Sequence, residues 1–182
     1  MALASLPTAP LRVADLPQNS EAPFDLRPGA EELAVVADYL ELLGLRKLSF
    51  KGTLQALGHK DWELNGTLGA TVIQPCVVTL DPVTTRIDVP VRRQFTKTLE
   101  VFDEEEVEMP EDEAIEPLGT VIDPAKVMLE ALALALPLYP RKEGASLDNA
   151  VFSEPGVAPM TDQDARPFAG LAALRNTPDK ED

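Results

Sequence analysis

Two apolar runs between Leu64 and Phe102 most constrain how this chain can fold, and they are joined by a turn at residues 80–83. From Arg86 to Val101 the odd positions are apolar except Arg93 and Lys97, and the even positions are polar except for one proline. A period of two places successive side chains on opposite faces of a strand. The Asp-Pro pair in the joining segment is a turn signal, because proline fixes its own backbone and aspartate caps turns. The stretch therefore predicts a half-buried antiparallel hairpin.

A segment with helical periodicity precedes the hairpin. Its apolar residues recur three and four positions apart, which places them on one face of a helix: Leu33, Val36, Tyr39, Leu40 and Leu43. Pro28 stands where helices begin, and two glutamates after it suit the positive end of the helix dipole. Gly44 supplies a stop. We therefore predict an amphipathic helix from Ala30 to Leu43.

A second helix is predicted from Ala125 to Leu136. Asp123 is a residue type that caps helices, and Pro124 fits the first helical position because its missing N–H would have no partner there. The segment is apolar nearly all round, so we expect it to be largely buried. Pro137 and Pro140 end it.

Strand patterns lie between and before the two helices. Apolar and polar residues alternate from Arg46 to Leu57, and a turn at residues 58–61 leads back into the first apolar run. Pro75 within that run predicts an edge strand or a bulge. Shorter strand patterns lie at residues 11–13, 24–26 and 118–122. These elements predict an α+β fold in which an antiparallel sheet, curled toward a barrel, is covered by two main helices.

An acidic run and a proline-punctuated tail interrupt this pattern. Nine acidic residues and no basic one lie between positions 103 and 116: Asp103, Glu104, Glu105, Glu106, Glu108, Glu111, Asp112, Glu113 and Glu116. Like charges at this density resist packing, so we expect a flexible acidic insertion at residues 103–117. We predict a single domain at residues 1–142 and a loosely structured C-terminal tail at 143–182, with a short docking segment at 167–174.

The charge of the chain limits what it can bind. Its net charge is −15 and its pI about 4.4, which argues against a simple phosphate-binding surface and suits a basic partner. A single cysteine excludes an internal disulfide and a thiolate metal cluster. Residues 1–16 are short and interrupted by prolines, and no stretch approaches the ~18 apolar residues that span a bilayer. We expect a cytoplasmic protein without a membrane contact.

The chain offers little for catalysis. His59 is the only histidine, so neither a Ser-His-Asp triad nor a two-histidine metal site can be assembled, and we interpret it as an exposed turn residue. No glycine-rich phosphate loop is present. The acidic run lacks the glycine-bearing pattern of a calcium loop. We therefore predict no enzyme activity, no catalytic residue, no cofactor, no metal and no small-molecule substrate.

The densest basic group lies on the second strand of the hairpin and consists of Arg86, Arg92, Arg93 and Lys97. Arg86 and Arg92 fall on the polar face, whereas Arg93 and Lys97 fall on the otherwise apolar face. One interpretation is structural: Arg86 pairs with Asp88 or neighbouring acids, and Arg93 and Lys97 mark where the strand leaves the core. The other is a phosphate contact, for which the guanidinium fork is suited. All four stay candidate contacts to a partner or to RNA.

Three blocks follow one another along the chain. Residues 76–83 read Cys-Val-Val-Thr-Leu-Asp-Pro-Val, residues 130–141 read Glu-Ala-Leu-Ala-Leu-Ala-Leu-Pro-Leu-Tyr-Pro-Arg, and residues 167–174 read Pro-Phe-Ala-Gly-Leu-Ala-Ala-Leu. Together they resemble the YceD family, the large ribosomal RNA subunit accumulation proteins. Its hallmarks are a Cys-x-x-Cys-Leu-[Asp/Glu]-Pro block, a glutamate before a Leu-x-Leu-x-Leu-Pro-x-x-Pro run, and a similar C-terminal segment. The matching motif positions are Cys76, Leu80, Asp81, Pro82, Glu130, Leu134, Pro137 and Pro140.

The chain departs from the family pattern at one position. Thr79 stands where many family members have a second cysteine, so a metal or disulfide role for that pair cannot apply, and we interpret Cys76 as a buried packing residue. Glu130 lies in an otherwise apolar helix, where a carboxylate needs a partner, and Arg93 or Lys97 is the expected one. The resemblance implies no active site. We expect an alphaproteobacterial-type member of the family.

The resemblance implies a role in ribosome biogenesis. We expect a bacterial, non-enzymatic factor that promotes accumulation or maturation of large-subunit rRNA by binding a basic ribosomal protein or an rRNA-processing factor, with direct contact to the rRNA left open. Two alternatives stay open: an acidic adaptor or chaperone-like binder of a basic ribosomal protein without RNA contact, and an uncharacterised hydrolase. A structure that scatters Arg46, Lys51, Arg92 and Arg93 would argue against a direct RNA-binding module.

Overall fold

The structure of the chain is a computed structural model that describes residues 5–58, 60–97, 115–146 and 156. The chain divides into two units, residues 1–143 and 144–182. The helices and strands reported below lie in the first unit.

Seven strands and two α-helices make up the regular structure of the described residues. The strands are β1 (Leu11–Arg12), β2 (Ala22–Leu26), β3 (Gly44–Leu57), β4 (Asp61–Pro75), β5 (Pro82–Thr96), β6 (Ile115–Pro117) and β7 (Val121–Ile122). A short 3-10 turn, Val13–Asp15, follows β1. The helices are α1 (Ala30–Tyr39) and α2 (Pro124–Ala135).

The main sheet has five strands in the order β2-β3-β4-β5-β6. Strands β2 to β5 pair antiparallel, whereas β6 runs parallel to the last residues of β5, 94–96. Strands β1 and β7 form a separate antiparallel pair. The predicted α+β fold with a mostly antiparallel sheet is therefore confirmed. The sheet is open, with β2 and β6 at its edges, so the predicted curl does not close it into a barrel.

One face of the main sheet is apolar and carries the core. The alternation in β4 buries its even-numbered residues, among them Trp62, Leu64, Leu68, Ala70 and Val72. Helix α1 adds buried Val36 and Ala37, and α2 adds buried Ala125, Val127, Met128 and Leu132. Full burial of a side chain of the Leu, Val or Met kind contributes roughly 1.5–3 kcal/mol, so this layer holds the helices on the sheet.

Helix α1 ends four residues earlier than predicted, at Tyr39. The chain leaves it through Glu41, whose φ of 53° lies in the left-handed region. The Glu41 N–H donates to the Asp38 carbonyl at 3.1 Å, and the next N–H donates to the Ala37 carbonyl at 2.8 Å. This pair of bonds is the Schellman ending, with a glutamate where glycine is usual. Gly44, the predicted stop, opens β3 instead.

Helix α2 begins as predicted. The Asp123 carboxylate accepts the Ala125 N–H at 2.9 Å, and Pro124 is the first helical residue. The same carboxylate oxygen also accepts the Ala9 N–H at 3.0 Å, across 114 residues of sequence. Asp123 therefore caps the helix and fastens the N-terminal segment to it.

The prediction that Pro75 marks an edge strand or a bulge is wrong. Strand β4 is central in the sheet, and Pro75 is its last residue, opposite Pro82 at the start of β5. Neither proline can donate a ladder hydrogen bond, so the hairpin ladder stops at this pair. The register shift lies in β3 instead, between Arg46 and Ser49, where Lys47 has a φ of 52°.

Several predicted segments lie outside the described residues. These are His59, the end of the second hairpin strand beyond Lys97, most of the acidic insertion and the tail segment 167–174. The last three residues of the predicted insertion, 115–117, form β6.

Candidate functional site

The turn between β4 and β5 holds four of the motif positions. The Cys76 N–H donates to the Asp81 carbonyl at 2.7 Å, and the Leu80 N–H donates to the Cys76 carbonyl at 2.9 Å. Leu80 has a φ of 61°, in the left-handed region that leucine seldom adopts. These bonds hold Asp81 beside Cys76 and leave the Leu80 side chain 76% exposed.

The segment that leaves α2 is bonded to this turn and to the end of β4. The Val77 N–H donates to the Pro140 carbonyl at 2.9 Å, and the Gln74 amide donates to the Pro137 carbonyl at 3.3 Å. The Lys142 ammonium lies 3.0 Å from the Asp81 carboxylate. Two blocks that are about sixty residues apart in the sequence therefore meet in space. We call this region, residues 74–82 and 136–142, the motif junction.

Cys76 lies at the centre of the motif junction and is fully buried, as predicted. Its sulfur accepts the backbone N–H groups of Val78 and Lys142, each at 3.4 Å. Hydrogen bonds from the Thr79 side chain, then from the Lys142 and Thr79 backbone, outweigh burial and lower the pKa of Cys76 to about 6. Thr79, which stands in place of the family's second cysteine, therefore stabilises the thiolate form of the first.

Large apolar side chains are exposed around the motif junction. Leu80 and Tyr139 are each 76% exposed, Leu138 is 86% exposed and Val77 48% exposed. We call these four side chains the apolar patch. They lie on the two segments that the hydrogen bonds of the junction join, and exposed apolar side chains grouped in one region are typical of protein interfaces.

Helix α2 is buried on one side only, which corrects the expectation that it is apolar and buried nearly all round. Val127, Met128 and Leu132 lie in the core, whereas Leu134 is 84% exposed. Leu134 lies near the end of α2, four residues before Leu138, so exposed apolar side chains occur both on the helix and on the segment that follows it.

Two of the candidate arginines lie on the polar face of the sheet, where each is paired with a carboxylate. Arg86 forms a two-bond pair with Asp88, with Nε 2.7 Å from Oδ2. Arg92 donates from Nε to Glu63 at 2.8 Å. The guanidinium of Arg86 lowers the pKa of Asp88, and that of Arg92, followed by the Asn65 amide, lowers the pKa of Glu63. The predicted pairing of Arg86 with Asp88 is confirmed.

Arg93 lies on the core side of β5 and is largely buried, with a side chain 17% exposed. Its guanidinium lies 3.1 Å from Glu116 of β6 and 3.4 Å from Glu130 of α2. The predicted partner for Glu130 is therefore confirmed as Arg93. Lys97 follows the end of β5 and is exposed, and its backbone N–H donates to the Asp61 carboxylate at 3.1 Å.

The basic residues considered for RNA binding do not form one surface. The register places Lys51 beside Asp25, whereas Arg92 is bonded to Glu63 and Arg93 lies on the opposite face. Arg46 and Arg86 lie on either side of the same β4 residue, Thr71. Arg92 lies six residues farther along β5 than Arg86. At about 3.3 Å per residue this separation is roughly 20 Å. The sheet face alternates in charge rather than presenting a basic patch.

Sequence reasoning did not identify the Lys142–Asp81 pair or the exposure of Leu138 and Tyr139. A signal for the exposure was present, because Pro137 and Pro140 bracket both residues and prevent a helix there. Their side chains therefore lie on a non-helical segment that leaves them outside the core.

Neither a metal-holding group of side chains nor a membrane-spanning helix occurs among the described residues. No group of three or more His, Cys, Asp or Glu side chains in that part of the chain is placed to hold a metal ion. Within the same residues, no helix is long and apolar enough to cross a membrane.

Comparison with known proteins adds one match. No curated protein and no solved structure matches the chain. The family model for the large ribosomal RNA subunit accumulation protein YceD matches residues 64–175, which is more than half of the chain and includes most of β4, all of β5 and α2, and the whole motif junction. The match does not test the alphaproteobacterial-type expectation. The chain belongs to the YceD family of large ribosomal RNA subunit accumulation proteins.

Proposed function

We propose that the protein promotes accumulation or maturation of large-subunit rRNA as a non-enzymatic factor in the cytoplasm, by binding a basic ribosomal protein or an rRNA-processing factor. The observation that carries this proposal is the apolar patch at the motif junction. Leu80, Leu138 and Tyr139 are each at least three-quarters exposed. The hydrogen bonds of the junction hold them in place, so little ordering is needed when a partner covers them.

The polar face of the sheet supports a protein partner over naked RNA. Arg86 and Arg92 are held by Asp88 and Glu63, and a phosphate would have to displace these carboxylates. Stacking of unpaired bases needs exposed aromatic side chains. On the described strands β3 to β5, the large exposed hydrophobic side chain is Leu57, which is aliphatic.

The net charge supports a basic partner. A chain with a net charge of −15 attracts cationic proteins and repels polyanions at long range. Ribosomal RNA is a polyanion, whereas proteins that bind it carry basic surfaces. An acidic adaptor that holds such a protein without touching RNA is the second form of the same proposal, and the experiment below distinguishes the two.

The proposal is tested by depleting the protein and measuring the ratio of large- to small-subunit rRNA. We expect the ratio to fall, wild type to restore it, and Leu138→Asp combined with Tyr139→Asp to fail. Leu57→Asp is the matched control, because Leu57 is 46% exposed at the other end of the β3–β4 hairpin. An unchanged ratio, or full rescue by the patch variant, would overturn the proposal.

Affinity purification in parallel identifies the kind of partner. We expect a basic protein that stays bound after nuclease treatment and is lost with the Leu138→Asp, Tyr139→Asp variant. Large-subunit rRNA that is recovered with the wild type, and is no longer recovered from an extract depleted of that basic protein, indicates contact through that protein. A purification that recovers only RNA, is lost on raising the salt and needs no protein would contradict the choice of partner.

A further inference from the structure

In the part of the chain that the structure describes, β5 is unpaired on one side over most of its length. Strand β4 pairs with it from Pro82 to Phe95, which is nearly its whole length. On the other side β6 pairs only with residues 94–96. Among the described residues no strand pairs with residues 83–93 on that side. An unpaired edge of this length is a template on which another strand can form backbone hydrogen bonds.

The direction of the free backbone groups follows from three observations. The Thr96 carbonyl accepts the Leu118 N–H at 2.7 Å, on the side of β6. Pro82 and Pro90 also have even numbers, and neither proline can donate to β4. Since backbone groups of alternate residues point to the same side of an antiparallel strand, the even-numbered residues of β5 direct their N–H and C=O groups to the open side. Thr84, Arg86, Asp88 and Arg92 supply the free N–H groups.

An apolar groove lies beside this edge. It has a volume of about 390 Å³ and is formed by β5 and α2. Its apolar lining consists of Val89, Pro90, Val91, Ala131, Leu134 and Ala135. Arg92 and Arg93 complete the lining, and each of them is paired with glutamate. Leu134, which is 84% exposed, stands at its opening. A strand added to the edge would point every second side chain into this groove.

We propose that an extended segment of a partner protein adds to the open side of β5 in line with β6, with alternate apolar side chains in the groove. Such addition derives affinity from backbone hydrogen bonds and specificity from pockets for alternate side chains. The inference deepens the proposed function, because the expectation that the partner is basic rests on that proposal. We expect lysine or arginine to flank the apolar residues of the added segment.

Charge complementarity selects this occupant. The net charge of −15 attracts a cationic segment to the chain at long range. A second copy of the chain, which also carries a net charge of −15, is repelled. Pro82 and Pro90 further interrupt pairing between two copies of β5.

A displayed library of random peptides, panned against the full chain, tests the site without a known partner. We expect enriched peptides with alternating apolar residues and flanking basic ones. Leu134→Asp should weaken their binding about tenfold or more, whereas Leu57→Asp should leave it unchanged. In hydrogen exchange with the bound peptide, the amides of Arg86, Asp88 and Arg92 should become protected.

N-methylated versions of the best peptide separate strand addition from simple groove filling. Methylation of the alternate amides that face β5 should abolish binding, and methylation of the other set should be tolerated. The inference would be overturned if no peptide were enriched, if Leu134→Asp did not weaken peptide binding, or if both methylated peptides bound equally well. A dimer cross-linked through β5 would overturn it too, in favour of a second copy. Because peptide binding does not depend on rRNA levels, failure of this site and failure of the proposed function are distinguishable.

Discussion

Arg93 of β5 and Glu130 of α2 form an ion pair, with Nη2 3.4 Å from Oε2. The same guanidinium lies 3.1 Å from Glu116 of β6. One arginine thereby links three elements that border the open part of the β5 edge. It also supplies a positive charge to two partly buried carboxylates.

Replacement of Arg93 should destabilise the fold. Arg93→Met removes the shared cation, which deprives Glu116 of its partner and leaves Glu130 with the exposed Lys126, so we expect a loss of roughly 1–3 kcal/mol in the free energy of unfolding. The control is Lys126→Met, which removes an exposed partner of Glu130 on the same helix and should cost no more than about 0.5 kcal/mol. Urea unfolding measures both, and equal midpoints for the two variants would contradict the prediction.

Cys76 should titrate well below an ordinary thiol. Its pKa of about 6, compared with an ordinary value of 9.0, predicts thiolate ultraviolet absorbance that appears around pH 6 in the folded chain. Since the unfolded chain binds the extra proton between about pH 6 and 9, stability should rise with pH across that window. Cys76→Ser should lose both the absorbance and this part of the pH dependence. A thiolate that appears only above pH 8 would disprove the assignment.

Asp123 should matter more than an ordinary helix cap, because one carboxylate serves two N–H groups. Asp123→Ala removes both bonds, and we expect a loss of roughly 1–2 kcal/mol in stability. Asp123→Asn keeps an acceptor oxygen and should lose less than half of that. Chemical unfolding of the three proteins measures the series, and an alanine variant as stable as wild type would contradict the role.

Two glycines on neighbouring strands should respond differently to an added methyl group. A Cβ at Gly52 would overlap the Asn65 carbonyl oxygen, a backbone atom of β4, so β3 and β4 would have to separate. A Cβ at Gly69 would meet Arg86 Nη2 at 2.7 Å, the end of a flexible side chain that can move. We expect Gly52→Ala to cost roughly 1–3 kcal/mol, as overpacking does, and Gly69→Ala to cost clearly less. Thermal unfolding of both variants gives the comparison, and the reverse order would refute the explanation.

Local patterns predicted the hairpin and the start of α2 correctly. The alternation around Val89 and Val91 identified β5, because a half-buried strand must separate apolar from polar side chains. The partner of Glu130 was predictable too, since a carboxylate in an apolar helix needs a cation. The end of α1 was not, because the left-handed residue is Glu41 rather than a glycine.

The motif junction could not be assembled from the sequence. The blocks around Cys76 and Pro140 each resembled a family pattern, but nothing in either block indicated that they are bonded to one another. Position along the chain does not specify which loops meet, because the packing of α2 on β4 and β5 sets where the segment after the helix lies. The exposure of Leu134 likewise depends on which face of α2 the sheet covers.

The turn at residues 80–83 shows which features follow from local sequence and which depend on the tertiary structure. The sequence by itself determined that Asp81 and Pro82 reverse the chain between two alternating strands, since turn chemistry and a period of two are local properties. Only the tertiary structure decided that Lys142 binds Asp81, that hydrogen bonds to the buried Cys76 lower the pKa of its thiol, and that Leu138 and Tyr139 are exposed. These are contacts between distant segments, and they form only when both helices are packed on one face of the sheet.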